Sequence, residues 1–330
     1  MKNIAFTICS NNYLSQAKVL SDSVYEYSKE SYDFVIVLCD VFNDKIDYSK
    51  FHANFVEIKD LGISNFEWMT KFYTIIELNT AVKPFAFKYI INKYNPEFVH
   101  FLDPDTCIYT SLNSLEEEMA PDYSMLLTPH ELAPLPYDGR HPSDNTFLNA
   151  GIYNLGFFGL RVTEESLKML DWWCEILAEH CLIDCPNGFF VDQLPMELVP
   201  LFFKEVKVSR HRGINAAYWN LHERTIEIGG DNYLVNKTYP LVMYHFSSYK
   251  IDNPELISWH SNRHEMNTNS LKKLFGDYHD KLLTTDYKLY KSIVCEYTKR
   301  RNAFWRKFLY KVSFFIKKTS ESFCKRIDRI

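Results

Sequence analysis

The feature that most constrains this 330-residue chain is the order of its apolar runs over the first 120 residues. Residues 4–8 (Ile-Ala-Phe-Thr-Ile) and 34–38 (Phe-Val-Ile-Val-Leu) have the length and β-branched content of strands buried on both faces. Between them Leu14, Ala17, Leu20, Val24 and Tyr27 recur at helical spacing. Residues 55–58 form a third short strand candidate. Residues 66–91 are helical in composition, in two pieces broken before Pro84. Residues 98–102 (Phe-Val-His-Phe-Leu) make another buried strand. Repeated strand–helix–strand order predicts an α/β chain with a mainly parallel central sheet flanked by helices. Ligands of such sheets bind beyond the carboxyl ends of the strands. Two polar clusters fall at such ends: Cys9-Ser10-Asn11-Asn12-Tyr13 and Asp103-Pro104-Asp105.

Further along, residues 125–128, 153–160, 206–209, 225–228 and 241–246 read as strands. Residues 164–181 read as an amphipathic helix capped by Thr163 or a neighbour. Residues 129–149, with Pro129, Pro134, Pro136 and Pro142, read as a functional loop.

Hydrophobic residues at 46% and charged residues at 24% fit a globular chain long enough to bury a core without disulfides. The first apolar run is too short for a signal peptide, no stretch of 18 apolar residues occurs, and the eight cysteines lack a framework spacing. The expected setting is therefore cytoplasmic, with reduced thiols. Charge is unevenly spread. From 299 to 330 there are eleven Lys/Arg against Glu321 and Asp328, so a tail of +9 follows a body of −14. Trp305, Phe308, Leu309, Val312, Phe315 and Ile316 share one helical face in that tail, a pattern suited to an anionic membrane surface. The acidic body argues against nucleic acid.

Asp103 and Asp105, one residue apart after a buried strand, can converge on a hard divalent cation whose other positions suit phosphate oxygens. His245, at the end of a late strand, is the natural third ligand, and its imidazole favours Mn²⁺ over Mg²⁺. Cys181-x3-Cys185, with His180 and Cys174, lacks the paired second half of a zinc site. No Gly-x-Gly-x-x-Gly and no Walker loop occurs, which removes the phosphate loops of dehydrogenases and P-loop enzymes. Asp192 has two readings, a site carboxylate or the N-cap of residues 194–201.

Asp103-Pro-Asp105, Asn149-Ala-Gly-Ile-Tyr-Asn-Leu-Gly-Phe157, Val191-Asp-Gln193 and His245-Phe-Ser247 occur in that order. Together they resemble the GT-A fold of nucleotide-diphospho-sugar transferases, in particular glycosyltransferase family 8 and related bacterial polysaccharide enzymes. Thr128-Pro-His130, Trp172-Trp173 and the segment from Asn215 to Leu221 also look like parts of that bacterial group. The resemblance spans roughly residues 3–265. It implies a GT-A catalytic domain over 1–265, a helical extension over 266–298 and the basic tail over 299–330.

It further implies that Asp103, Asp105 and His245 hold the metal, with Asp103 also near the donor ribose. Cys9, Ser10, Asn11 and Tyr13 would cradle the nucleoside of the donor, expected to be a UDP-sugar, and Lys83 would face its diphosphate. Asn149 and Gly151 would border the transferred sugar, with Asp192 and Gln193 beneath its anomeric carbon. An inverting reaction needs a base, for which Asp192, His130 or Glu131 are candidates; a retaining one does not. The implied acceptor is a glycan or lipid-linked glycan of bacterial surface polysaccharide. The alternative is a non-catalytic nucleotide- or sugar-binding module on the same fold. One departure stands out: Ser248 occupies a position where related sequences favour glycine.

Overall fold

The structure is a computed structural model that describes residues 2–230, 232–297 and Val312; the predicted membrane-facing tail, residues 299–330, otherwise lies outside the described residues. In chain order, β1 (Asn3–Cys9), α1 (Leu14–Ser28), β2 (Tyr32–Leu38), β3 (Asn54–Glu57), β4 (Phe98–Leu102), β5 (Thr106–Ile108), β6 (Met125–Leu127) and β7 (Phe157–Arg161) carry the architecture. A seven-stranded sheet runs Val206–Val208, β6, β7, β4, β1, β2, β3. β1 pairs in parallel with β2 and β4, and β2 with β3. β7 alone is antiparallel to its neighbours, β4 and β6.

Strand periodicity sorts the side chains onto two faces. Ile4, Phe6, Ile8, Val35, Val37, Val99 and Phe101 enter one core with Met169, Leu170, Trp173 and Leu177 of the helix Glu164–His180. Ala5, Cys9, Phe34, Ile36, Leu38 and Leu102 enter the other with Leu14, Ala17, Leu20 and Val24 of α1. Each Leu, Ile, Val or Phe so buried stabilises the fold by about 1.5–3 kcal/mol relative to exposure. That two-sided burial is why these runs are continuously apolar.

Three local expectations need correction. Residues 66–91 give three helices rather than two, Phe66–Phe72, Ile75–Ala81 and Lys83–Tyr94. Thr74 and Glu77 form a capping box that starts the second, and Pro84 sits in the first turn of the third. The strand expected over 153–160 begins only at Phe157. The proline-rich segment ends in a helix, Asp144–Ala150, started by Ser143 and Thr146.

A second sheet orders Ala216–Ala217, Met243–His245 and β5. β5 is antiparallel to Met243–His245, with Thr106 opposite His245. The helix Asn269–Leu283 closes this region: Tyr278 stacks on Phe246 at 3.8 Å and Phe275 meets the same ring edge-on. Among the described residues, no helix is long and apolar enough to cross a membrane.

Candidate metal and nucleotide site

β4 ends at Leu102 and the chain turns at once. The Asp103 N–H donates to Gly156 O (2.7 Å) and the Thr106 N–H to Asp103 O (3.0 Å). β5 then runs back against Met243–His245, and the Phe246 N–H donates to Asp105 O (2.8 Å). This register sets His245 Nε2 at 3.0 Å from Asp105 Oδ1 and 3.7 Å from Asp103 Oδ2. One ligand atom from each of the three lies within 4.8 Å of the others, the spread of a single cation's donor set.

The imidazole fits only because residue 156 is glycine. A Cβ there would stand 2.4 Å from His245 Cε1 and 2.8 Å from Asn154 Oδ1. Trp219 meets the same ring edge-on at 5.2 Å. Burial pushes the Asp103 carboxyl up to about 6, against the pull of Lys83 and His245. Burial also acts on Asp105, but His245 and the Ser248 backbone N–H hold that carboxyl below its ordinary value. For His245, burial is outweighed by the attraction of Asp105, which raises it. Two carboxylates sharing one imidazole form an acidic, cation-seeking centre. Ser248, the departure from glycine, holds φ 59° and so adopts the left-handed conformation that glycine would take without strain.

Lys83 and Asp192 are brought together as a buried ion pair, each side chain under 4% exposed. Lys83 also donates to Leu155 O (2.8 Å) and sits 4.0 Å above the Phe101 ring. Asp192 is therefore engaged with Lys83, and Gln193 occupies the cap position of the 3₁₀ turn Leu194–Leu198. Gln193 Nε2 donates to Ala150 O (2.7 Å), and its Oε1 accepts from Leu155 N–H (3.3 Å). Gly151, at φ 110°, abuts Gln193, whose Cγ would lie 3.0 Å from a Cβ. Asn149 is exposed and its amide donates to Asn145 O within its own helix.

At the end of β1, Cys9 is buried and its thiol is pushed well up by burial and then by Asp40. Asn11 is fixed from three sides: its N–H donates to Asp40 Oδ2 (3.2 Å), its Nδ2 to Val41 O (2.8 Å), and its Oδ1 accepts from Tyr48 (2.8 Å). Ser10 accepts from Asn79 (3.3 Å). Tyr13 is 37% exposed, and burial, then the charges of Asp105 and Asp103, raise its hydroxyl. Sequence reasoning missed Asp40 and Asn79. Asp40 had a readable signal, since it follows the apolar run of β2 as Asp103 follows β4.

His130 is buried between Phe147 (stacked, 4.5 Å) and Trp219 (edge-on, 5.3 Å). Its Nδ1 lies 3.3 Å from Ile152 O and its Nε2 3.2 Å from Asn154 Nδ2. Burial holds this imidazole down to about 3. Around it, Asn215 donates to Thr128 Oγ1 (2.9 Å) and Asn154 Oδ1 (3.0 Å), and Asn220 donates to His130 O (3.1 Å). This buried amide network braces the wall behind His245. Glu131 is pushed up to about 8 by burial and by Asp144.

No family model matches the chain. It is similar to two proteins of Bacillus subtilis (strain 168), both named as uncharacterized. It is 25% identical to YfnF over 252 residues, 74% of this chain and 81% of that protein. It is 23% identical to YfnD over 251 residues, 74% and 77% of the two chains. Among solved structures it resembles the galactosyltransferase LgtC, in complex with donor and acceptor sugar analogues. That match has a TM-score of 0.50 at 14% identity and covers 88% of this chain and all of LgtC. The chain has the GT-A fold. An active-site mutant of LgtC matches equally, with a TM-score of 0.51 at 15% identity over the same shares.

Proposed function

We propose that the protein is a metal-dependent glycosyltransferase that moves a sugar from a nucleotide-diphosphate donor, a UDP-sugar, to a glycan or lipid-linked glycan of bacterial surface polysaccharide. The observation that carries this reading is the convergence of Asp103, Asp105 and His245 at the carboxyl end of β4, where a GT-A sheet presents its ligand. The carboxylate–imidazole donor set and the glycine cradle fit a divalent cation, with the imidazole favouring Mn²⁺ over Mg²⁺. When bound, such a cation supplies Lewis-acid neutralisation of charge developing on a leaving nucleoside diphosphate.

The residues of the chain divide the remaining work. Tyr13, Ser10 and Asn11 line the nucleoside end, and Asp103 stands between nucleoside and metal. Asn149 and Gly151 border the transferred sugar in this reading, with Gln193 held against Gly151. Lys83 balances Asp192, so Asp192 acts as a fixed negative group beneath the sugar, steadying positive charge at the anomeric carbon. The three groups considered as bases are not free to take an acceptor proton. Asp192 is paired, His130 is engaged at both nitrogens, and burial pushes the Glu131 carboxyl up to about 8, which favours its protonated form. The basic residues 299–330 would place the enzyme peripherally on the cytoplasmic face of the membrane, near a lipid-linked acceptor.

The test is a screen of nucleotide sugars for Mn²⁺-dependent thermal shift and donor hydrolysis, run beside Asp105→Ala. A stabilising donor that requires Mn²⁺ in the wild type and loses its effect in the variant is expected. Metal-independent behaviour, or an Asp105→Ala protein indistinguishable from wild type, would falsify the enzyme reading.

A further inference from the structure

We propose that a cavity of about 560 Å³, walled by Arg140, Arg224, Arg263, His264 and Thr268, binds an anionic group, a phosphate or a carboxylate. None of its lining residues belongs to the metal group, so it is a second site. It is close to the first through the chain: Leu221, on its wall, follows by two residues the Trp219 that meets His245.

Four observations point to an anion. Arg224 is only 3% exposed, and its Nη1 donates to Arg212 O and Ile214 O, both at 2.8 Å. Its Nε is ion-paired with a Glu223 oxygen at 3.5 Å, too long for a good hydrogen bond, so this buried guanidinium is only partly satisfied. His264 Nε2 is likewise buried without a partner. Thr268 caps the fifteen-residue helix Asn269–Leu283, whose N-terminal turn, with Leu271, faces the cavity and adds the positive end of a helix dipole.

The local charge agrees. The guanidinium groups of Arg140, Arg212, Arg224 and Arg263 face three carboxylates, Asp138, Glu223 and Glu265. Arg263 is fully used: it pairs with both oxygens of Asp138 and donates to the carbonyls of Pro136, Arg140 and Pro142. Its task is to fix the wall. Arg140 is different. It is exposed at the mouth and gives one donor to Arg263 O (3.4 Å), which leaves the rest of its fork for a ligand. His264 is held down to about 4 by burial and then by His222, Arg263 and Arg140, which reports the same positive field. The cavity therefore offers one net positive charge, two guanidinium forks with spare donors and a helix N-terminus. That is the chemistry of a phosphate or carboxylate site. Two sources share it: a free phosphate compound, or an acidic group carried on a saccharide.

The test uses the full chain with EDTA present and ionic strength held constant, titrated calorimetrically with inorganic phosphate, with glucuronate and with neutral glucose. Saturable binding of phosphate or glucuronate, absent for glucose, is expected. Preference for phosphate assigns the first source, and preference for glucuronate assigns the second. Arg140→Gln and His264→Gln, whose side chains do not hold the core together, should each weaken binding about tenfold. Asp105→Ala should leave it intact, which keeps this outcome separable from the fate of the glycosyltransferase reading. Arg224→Gln is the sharper variant but also removes bonds to two backbone carbonyls, so it is read only if its melting curve stays cooperative. Anion binding no better than glucose, or Arg140→Gln and His264→Gln titrating like wild type, overturns the proposal.

Discussion

Gly156→Ala is the perturbation that most directly probes how the candidate metal centre is built. A Cβ at this position would stand 2.4 Å from Cε1 and 2.5 Å from Nδ1 of His245, and 2.8 Å from Asn154 Oδ1. Carbon atoms in contact sit at about 3.5–4.0 Å, so the imidazole must retreat by roughly 1 Å. It has little room, being 4% exposed with the Trp219 ring 5.2 Å away. A retreat of that size moves Nε2, now 3.0 Å from Asp105 Oδ1, beyond hydrogen-bond reach and spreads the ligand set. Overpacking should destabilise the fold by about 1–3 kcal/mol. Displacing a ligand's support should lower metal affinity roughly 10- to 100-fold. The assay is Mn²⁺ titration in the presence of UDP, with urea unfolding on the same preparations. Gly276→Ala is the control: it lies in the helix Asn269–Leu283 and a Cβ there meets nothing within 4 Å. It should gain about 0.5–1 kcal/mol of stability and leave metal binding unchanged. Wild-type Mn²⁺ affinity in Gly156→Ala would refute the idea that this glycine sets the position of His245.

Two further outcomes follow from groups outside the metal ligands. Lys83→Met leaves the Asp192 carboxylate buried without its partner and should cost about 3–5 kcal/mol in urea unfolding. The double variant Lys83→Met/Asp192→Leu should cost less than the two single changes added, and simple additivity would contradict the pairing. His100, fully buried in β4 with neither ring nitrogen hydrogen-bonded, is held down to about 3 by burial, from an ordinary value of 6.5. Above pH 6.5 it is neutral in both folded and unfolded chains. As pH falls from there toward 3 only the unfolded chain takes up the proton, so stability declines over that window. His100→Leu should flatten the decline between pH 7 and 5 in urea midpoints; an unchanged slope would show that His100 is not its source.

Much of this architecture was legible because burial on both faces writes itself as continuous apolar runs, as in β1, β2 and β4. Asp103 and Asp105 were legible for the same reason, since a charged pair after such a run marks a strand end. Other features depend on contacts between distant segments. Nothing local to Tyr153-Asn154-Leu155-Gly156 says that it stays outside the strand before β7 begins; Asn154 is turned toward Asn215 and His130, more than twenty residues away on either side. The antiparallel placement of β7 likewise has no local cue. By contrast, the Thr74–Glu77 capping box was readable as a helix start, and overlooking it merged two helices into one. His130 shows the limit of motif reading: it sits beside the site, but its rings and amide neighbours make it part of the wall.

Asp103 closes the large sheet, whereas Asp105 opens the small one and meets His245 across it. A ligand shared among them therefore acts as a rivet between two layers that are otherwise joined there by Pro104 and a few hydrogen bonds. Occupancy at one hundred times the dissociation constant adds about 2.7 kcal/mol to the state in which those layers are docked. Phe246, the residue after His245, stacks on Tyr278, so packing links the rivet to the C-terminal helix. On the reading proposed above, filling the Asp103–Asp105–His245 group would thus be a mechanical event for the helix Asn269–Leu283 as well as a chemical one at the sheet ends.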